Sequence, residues 1–165
     1  MLISHTTLSC EMRILIVEDD ADKARELRDF VSAFFSEVCI DEVRSFNSAL
    51  KALCNGSVEY KAMLLDMSMP NFEVGGDEPY GGQPENFAGR DLLMQMKMRR
   101  RSVPTIVVTM FDGFGEGESR VSIDDLGAQM RDSFSDFYVG HVYYSQAEDA
   151  WKSDLSELLR GLKVE

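Results

Sequence analysis

The stretch Arg13-Ile14-Leu15-Ile16-Val17-Glu18-Asp19-Asp20 decides how the rest of the chain is read. Ile14 to Val17 is an apolar, mostly β-branched run without the polar alternation of a strand wetted on one face, and it stops abruptly at the acids. Such a run is the pattern of a strand covered on both faces, as in parallel sheets. Working outward, similar runs lie at 38–43, at 62–65 (Ala62-Met63-Leu64-Leu65), at 105–108 (Thr105-Ile106-Val107-Val108) and, with aromatic character, at 137–144. Between them the spacing becomes helical. Ala24, Leu27, Phe30, Val31 and Phe34 share one face; so do Leu92, Leu93, Met96 and, less cleanly, Phe87; Leu126 with Met130, and Leu155, Leu158, Leu159 and Leu162, mark two further helices. Strands alternating with helices predict repeated βαβ units, hence an α/β fold with helices on both faces of a parallel sheet.

Composition narrows the function classes. At 165 residues the chain is one domain's worth, and 44% hydrophobic with 28% charged residues excludes disorder throughout. Lys and Arg total 17 against 29 Asp and Glu, a net charge of -12, which argues against nucleic acid phosphates or an anionic membrane as partners. No apolar stretch reaches the roughly 20 residues of a membrane helix, and residues 1–12 lack the order of a secretion signal, so the expected location is cytoplasmic. Cys10, Cys39 and Cys54 are odd in number and lack CxxC spacing, and only His5 and His141 could join them around a metal; neither a disulfide framework nor a zinc site is expected.

Two segments break the rhythm. Residues 71–86 carry too many Gly, Pro and acids for a helix or strand and are expected to form a long surface loop. Residues 112–119 are a second Gly-rich acidic stretch, and 132–137 a third polar connection.

In an open parallel sheet, ligands bind beyond the carboxyl ends of the strands, and there the acids gather. Glu18 and Asp19 follow the first strand and Asp66 follows the third. If those strands are neighbours, three carboxylates converge; like charges so close raise one another's pKa or recruit a cation, and oxygen-only ligation suits Mg²⁺. For Glu18-Asp19-Asp20 alone, a helix N-terminal cap with acids favoured by the dipole is the competing assignment.

Four segments now carry a resemblance: Ile14-Leu15-Ile16-Val17-Glu18-Asp19-Asp20, Leu64-Leu65-Asp66-Met67-Ser68-Met69-Pro70, Gly89-Arg90-Asp91-Leu92-Leu93 and Pro104-Thr105-Ile106-Val107-Val108-Thr109. In this order they resemble a response-regulator receiver domain. The resemblance implies a five-stranded doubly wound sheet in order 2-1-3-4-5. It further implies Asp66 as phosphoacceptor, Glu18 and Asp19 as the acidic pair holding Mg²⁺, Ser68 as a ligand through its carbonyl, and Thr109 as the switch hydroxyl. At 4 Å and an effective dielectric near 20, each carboxylate–phosphoryl repulsion is on the order of 4 kcal/mol, which makes a neutralising cation obligatory. The implied partners are a histidine kinase or histidine phosphotransfer protein and an unknown downstream protein, in a phosphorelay rather than in enzymatic turnover. A phosphohydrolase lacks its second acid, since position 68 is Ser. The alternative is a receiver-like interaction module that binds its partner without phosphorylation.

The chain also departs from the family pattern. Receivers usually place a lysine at the end of the fifth strand; here that position falls near Tyr144 or Ser145, and no lysine occurs between Lys97 and Lys152. Arg90, Arg120 and Arg131 are candidate substitutes because a guanidinium fits phosphate. The division expected is an N-terminal extension at 1–11 and a receiver domain at 12–165, with an inserted loop at about 71–86 and a remodelled 112–137 region. In the inserted loop Asp77, Glu78, Tyr80 and Glu85 are placed to cover the site or touch a partner. Tyr138, Tyr143 and Tyr144 are candidates for a contact surface. With no appended output domain expected, the signal leaves through a partner protein.

Overall fold

In a computed structural model describing residues 10–73 and 85–162, the five apolar runs become the strands of a single sheet. They are β1 (Arg13–Val17), β2 (Cys39–Val43), β3 (Ala62–Leu65), β4 (Thr105–Thr109) and β7 (Tyr138–Tyr143), all parallel, in the order β2-β1-β3-β4-β7. Two further short strands, β5 (Gly113–Phe114) and β6 (Val121–Ser122), pair antiparallel as a small hairpin. Counting only the main sheet, the order is the expected 2-1-3-4-5. The helices are α1 (Ala21–Phe34), α2 (Phe46–Cys54), α3 (Ala88–Met98), α4 (Ile123–Ser133) and α5 (Ala150–Arg160).

The lack of alternation in β1 has the meaning assigned to it. Leu15 and Val17 pack with Leu53, Leu92, Met96 and Leu126 of α2, α3 and α4 on one face, while Ile14 and Ile16 pack with Leu27, Val31, Trp151 and Leu155 of α1 and α5 on the other. All four β1 side chains are fully buried, each worth roughly 1.5–3 kcal/mol of apolar transfer. Central position and two-sided cover hold the carboxyl end of β1 rigidly where the acids begin.

Three expectations need amendment. Cys10 and Cys39 form a disulfide, which the odd count and spacing had argued against. The reason is strand adjacency: Cys39 opens β2 and donates its backbone N–H to the Met12 carbonyl at 2.8 Å, so the chain before β1 lies alongside it. One pair plus one free thiol, Cys54, satisfies an odd number. A helix went unread at 46–54, where Ala49 and Leu53 are its buried residues and Ser45 caps its N-terminus, accepting from the Ser48 N–H. The 112–119 stretch is not simply a loop but holds β5 and a 3-10 turn at Gly117–Ser119. Asp77, Glu78 and Tyr80, and most of the proposed N-terminal extension, lie outside the described residues.

Candidate functional site

Strand register brings the acids together. Val17 pairs with Leu65 across β1 and β3, so the next residues, Glu18 and Asp66, emerge side by side. The ladder continues one step beyond the strands: the Asp66 N–H donates to the Val17 carbonyl at 2.9 Å, and the Glu18 N–H donates to the Val43 carbonyl at 3.0 Å. Both acids are thereby fixed at the backbone before their side chains are considered. Asp20 takes the capping role, accepting from the N–H groups of Asp22 and Lys23, so the two assignments for the acidic run divide by residue. Asp20 caps α1; Glu18 and Asp19 face the pocket with Asp66, one carboxylate oxygen from each lying within 4.8 Å of the others.

Glu18 and Asp66 are 2% and 5% exposed, Asp19 half-buried. Burial pushes the Glu18 carboxyl up to about 7 from its usual 4.5, with Lys23 opposing the rise and Asp66 adding to it. Burial likewise raises Asp66 and Asp19 from the ordinary aspartate value.

The cation in this pocket comes from a residue that sequence reasoning passed over. Lys23, in the first turn of α1 and only 1% exposed, puts its Nζ 2.6 Å from Glu18 Oε2 and 3.3 Å from Asp66 Oδ1. It also donates a hydrogen bond to the Val108 carbonyl at 2.7 Å and lies 5.7 Å from the centre of the Tyr144 ring. Apart from the Lys23 ammonium, the buried Oε2 of Glu18 has no polar partner among the described residues. A buried carboxylate oxygen with spare lone pairs, beside two further acids and no soft ligand, fits a hard divalent cation such as Mg²⁺.

The remaining expected residues fall as follows. Ser68 is buried two positions beyond Asp66. Thr109 ends β4 fully buried, its Oγ1 accepting from the Phe111 N–H at 3.2 Å. Arg90 stacks its guanidinium 4.4 Å above the Phe87 ring, Arg120 pairs with Asp112 at 2.7 Å, and Arg131 lies 6.0 Å over the Tyr138 ring. Among the described residues none of the three arginines forms an ion pair with Asp66, and the ammonium beside Asp66 is that of Lys23. Of the tyrosines, Tyr138 and Tyr144 are buried and Tyr143 is 50% exposed. Gly89, within the Gly89-Arg90-Asp91-Leu92-Leu93 segment, has a steric role that the sequence does not disclose. A Cβ there would lie 2.7 Å from the Asp66 carbonyl oxygen and 2.9 Å from Met67 Cα, so only glycine lets α3 approach the Asp66 turn.

A doubly wound parallel sheet with an acidic cluster at its carboxyl rim defines the class: a domain whose site lies beyond the ends of β1 and β3. No protein-family model matches the sequence. The chain is 33% identical over 144 residues to the Detocs response regulatory protein DtcB of Enterobacter cloacae, covering 87% of this chain and 95% of that one. It is 31% identical over 144 residues to an uncharacterized protein, y4jR, of Sinorhizobium fredii, covering 86% and 93%. Among solved structures it is similar to a CheY-like receiver domain from Methylobacillus flagellatus, with TM-score 0.56 and 19% identity over 92% of this chain and 98% of that one. A signal receiver domain from Pseudomonas fluorescens Pf-5 matches with TM-score 0.59 and 16% identity, covering 92% and 93%. The chain belongs to the response-regulator receiver family.

Proposed function

We propose that this receiver accepts a phosphoryl group on Asp66 from a histidine kinase or histidine phosphotransfer protein, with Mg²⁺ as cofactor, and passes the change to a partner protein. The observation that carries the reading is the asymmetry of the Asp66 carboxylate. Oδ1 accepts from the Met67 N–H at 2.8 Å and is paired with Lys23, whereas Oδ2 takes no hydrogen bond among the described residues. One oxygen is held while the other keeps its lone pairs, which is what a positioned carboxylate nucleophile requires. Oδ2 attacks the phosphorus of a phosphoimidazole; the O–P bond forms as the P–N bond breaks, and the departing imidazole takes a proton from solvent. Glu18, Asp19, Asp66 and the Ser68 carbonyl would hold Mg²⁺, which neutralises phosphoryl oxygen charge when bound.

The route outward begins at Thr109. It pairs in register with Tyr143, and beyond it stand Met110 and Phe111, all three neighbours substantially exposed. A hydrogen bond from the Thr109 hydroxyl to a phosphoryl oxygen draws Oγ1 toward Asp66, and because Oγ1 also accepts from the Phe111 N–H, the turn that carries the exposed side chains is drawn with it. No helix among the described residues is long and apolar enough to cross a membrane, in keeping with signalling in the cytoplasm.

The decisive experiment adds beryllofluoride with Mg²⁺ and follows amide shifts. Wild type is expected to shift around Asp66 and Thr109, and Asp66→Asn to show no adduct. The lysine already seated between Glu18 and Asp66 favours a second reading, a constitutive interaction module, and a silent wild type in this experiment selects it.

A further inference from the structure

We infer that Lys23, reaching in from the first turn of α1, is the cation that receives the phosphoryl group in this chain, doing from a helix what related domains do from the end of the last strand. The inference rests on Asp66 being the phosphoacceptor and names a positioning charge for that site.

The geometry makes the case in three steps. First, among the described residues Lys23 is the cationic side chain within ion-pair distance of Asp66, and none of the three candidate arginines forms an ion pair with it. Second, the strand-end position is filled by Tyr144, a buried phenol whose hydroxyl donates to Glu26 at 2.8 Å and whose ring packs against Trp151. Tyr144 brings no charge, but its ring face supports the Lys23 ammonium, so strand end and helix have divided between them what one lysine would do. Third, Lys23 lies at a helix N-terminus, where the dipole disfavours a cation, and it is nevertheless buried. Glu18, Asp66 and the Val108 carbonyl compensate that cost. The bond to Val108 also ties the ammonium to β4 one residue before Thr109, so the groups that sense a phosphoryl oxygen share one backbone segment.

A consequence separates this role from mere packing. Lys23 and a divalent cation draw on the same two carboxylates, Glu18 and Asp66, so the ammonium weakens metal binding in the resting protein. Once Asp66 carries a phosphoryl group, the same ammonium pairs with its oxygens, with no covalent bond made or broken at Lys23. Removing it therefore changes the two affinities in opposite directions.

The test is calorimetric titration of the whole protein with MgCl₂ alone, then with beryllofluoride at saturating Mg²⁺, for wild type, Lys23→Met and Lys23→Arg. Lys23→Met is expected to bind Mg²⁺ about tenfold more tightly and beryllofluoride about tenfold more weakly, with Lys23→Arg recovering most of the beryllofluoride affinity. Unchanged affinities in a folded Lys23→Met protein overturn the inference. If that variant does not fold, the Lys23 ammonium resonance of wild type decides: it is expected to move on beryllofluoride addition, and a stationary resonance overturns the inference. A wild type that binds no beryllofluoride at all places the failure in the phosphoacceptor reading, and the inference falls with it.

Discussion

At position 89 the space available to a side chain is negative. A methyl group would overlap the Asp66 carbonyl oxygen at 2.7 Å and Met67 Cα at 2.9 Å, both backbone atoms that cannot swing aside, while the Gly89 N–H donates to the Met67 carbonyl at 2.9 Å. Gly89→Ala must push α3 outward or displace the turn that presents Asp66. It is expected to cost about 1–3 kcal/mol of stability and to weaken beryllofluoride binding as well. Urea unfolding checks the first effect and amide shifts the second; an unaltered midpoint would show that the turn is more pliant than its packing implies. At this scale the sequence was only partly legible. The apolar runs put Glu18, Asp19 and Asp66 at strand ends, but that the first and third strands are neighbours, and so that the acids meet, came only from the family resemblance. Lys23 could not be placed with them, since a lysine in the first turn of a helix is ordinarily solvated and nothing in its neighbours announces burial. The signal that existed was negative, the absence of a lysine after the last strand, and it pointed to arginines because no geometry linked α1 to β3.

Among elements, α2 shows how tertiary contacts add to local signals. It spans nine residues, and its start is held by the segment leaving the site: the Phe46 N–H donates to the Pro70 carbonyl and the Asn47 N–H to the Asn71 carbonyl. Glu73 completes the dock, its Oε1 accepting from the Arg44 N–H at 2.9 Å and from the Ser48 hydroxyl at 2.8 Å. A carboxylate there also suits the positive end of the helix. Glu73→Ala is therefore expected to destabilise by about 0.5–1.5 kcal/mol and to speed exchange of the Arg44 amide, leaving the Asp66 amide unaffected. Equal exchange of Arg44 in both proteins would remove Glu73 from this role. The sequence does carry a signal for this helix, since Phe46, Ala49, Leu50 and Leu53 recur at helical spacing behind the Ser45 and Ser48 capping pair, while two-sided burial made β1, β3 and β4 plain and the edge strands β2 and β7 less so. At the far end of the same connection, Glu85 pairs with Met69 and accepts from the Asn71 side chain, so both described ends of 71–86 are anchored beside Asp66. The β5–β6 hairpin was illegible because its strands are two residues each and carry no pattern to detect.

For the whole molecule, the three raised carboxylates set a direction for stability against pH. Glu18 titrates near 4.5 when unfolded and at about 7 when folded, and Asp66 and Asp19 shift the same way, burial being the leading cause in each. Between those values the folded state holds a proton that the unfolded state has released. Fewer protons bound in the unfolded state means that unfolding free energy falls as pH rises through the window, the reverse of the familiar salt-bridged aspartate. A rise from 4.5 to about 7 sets an upper limit between roughly 3 and 4 kcal/mol for Glu18 at about 1.4 kcal/mol per unit. Without divalent metal, the melting temperature is accordingly expected to decline from pH 5 to pH 7.5, by several degrees at about 2–4 °C per kcal/mol for a chain of this size, and Glu18→Gln to flatten the decline. Mg²⁺ binds the deprotonated site and so stabilises by an amount that grows over the same interval. Scanning calorimetry in EDTA and in excess MgCl₂ at both pH values measures both slopes. A melting temperature that rises with pH in EDTA, or a Mg²⁺ shift as large at pH 5 as at pH 7.5, would mean that the acids at 18, 19 and 66 do not share one buried, cation-seeking site.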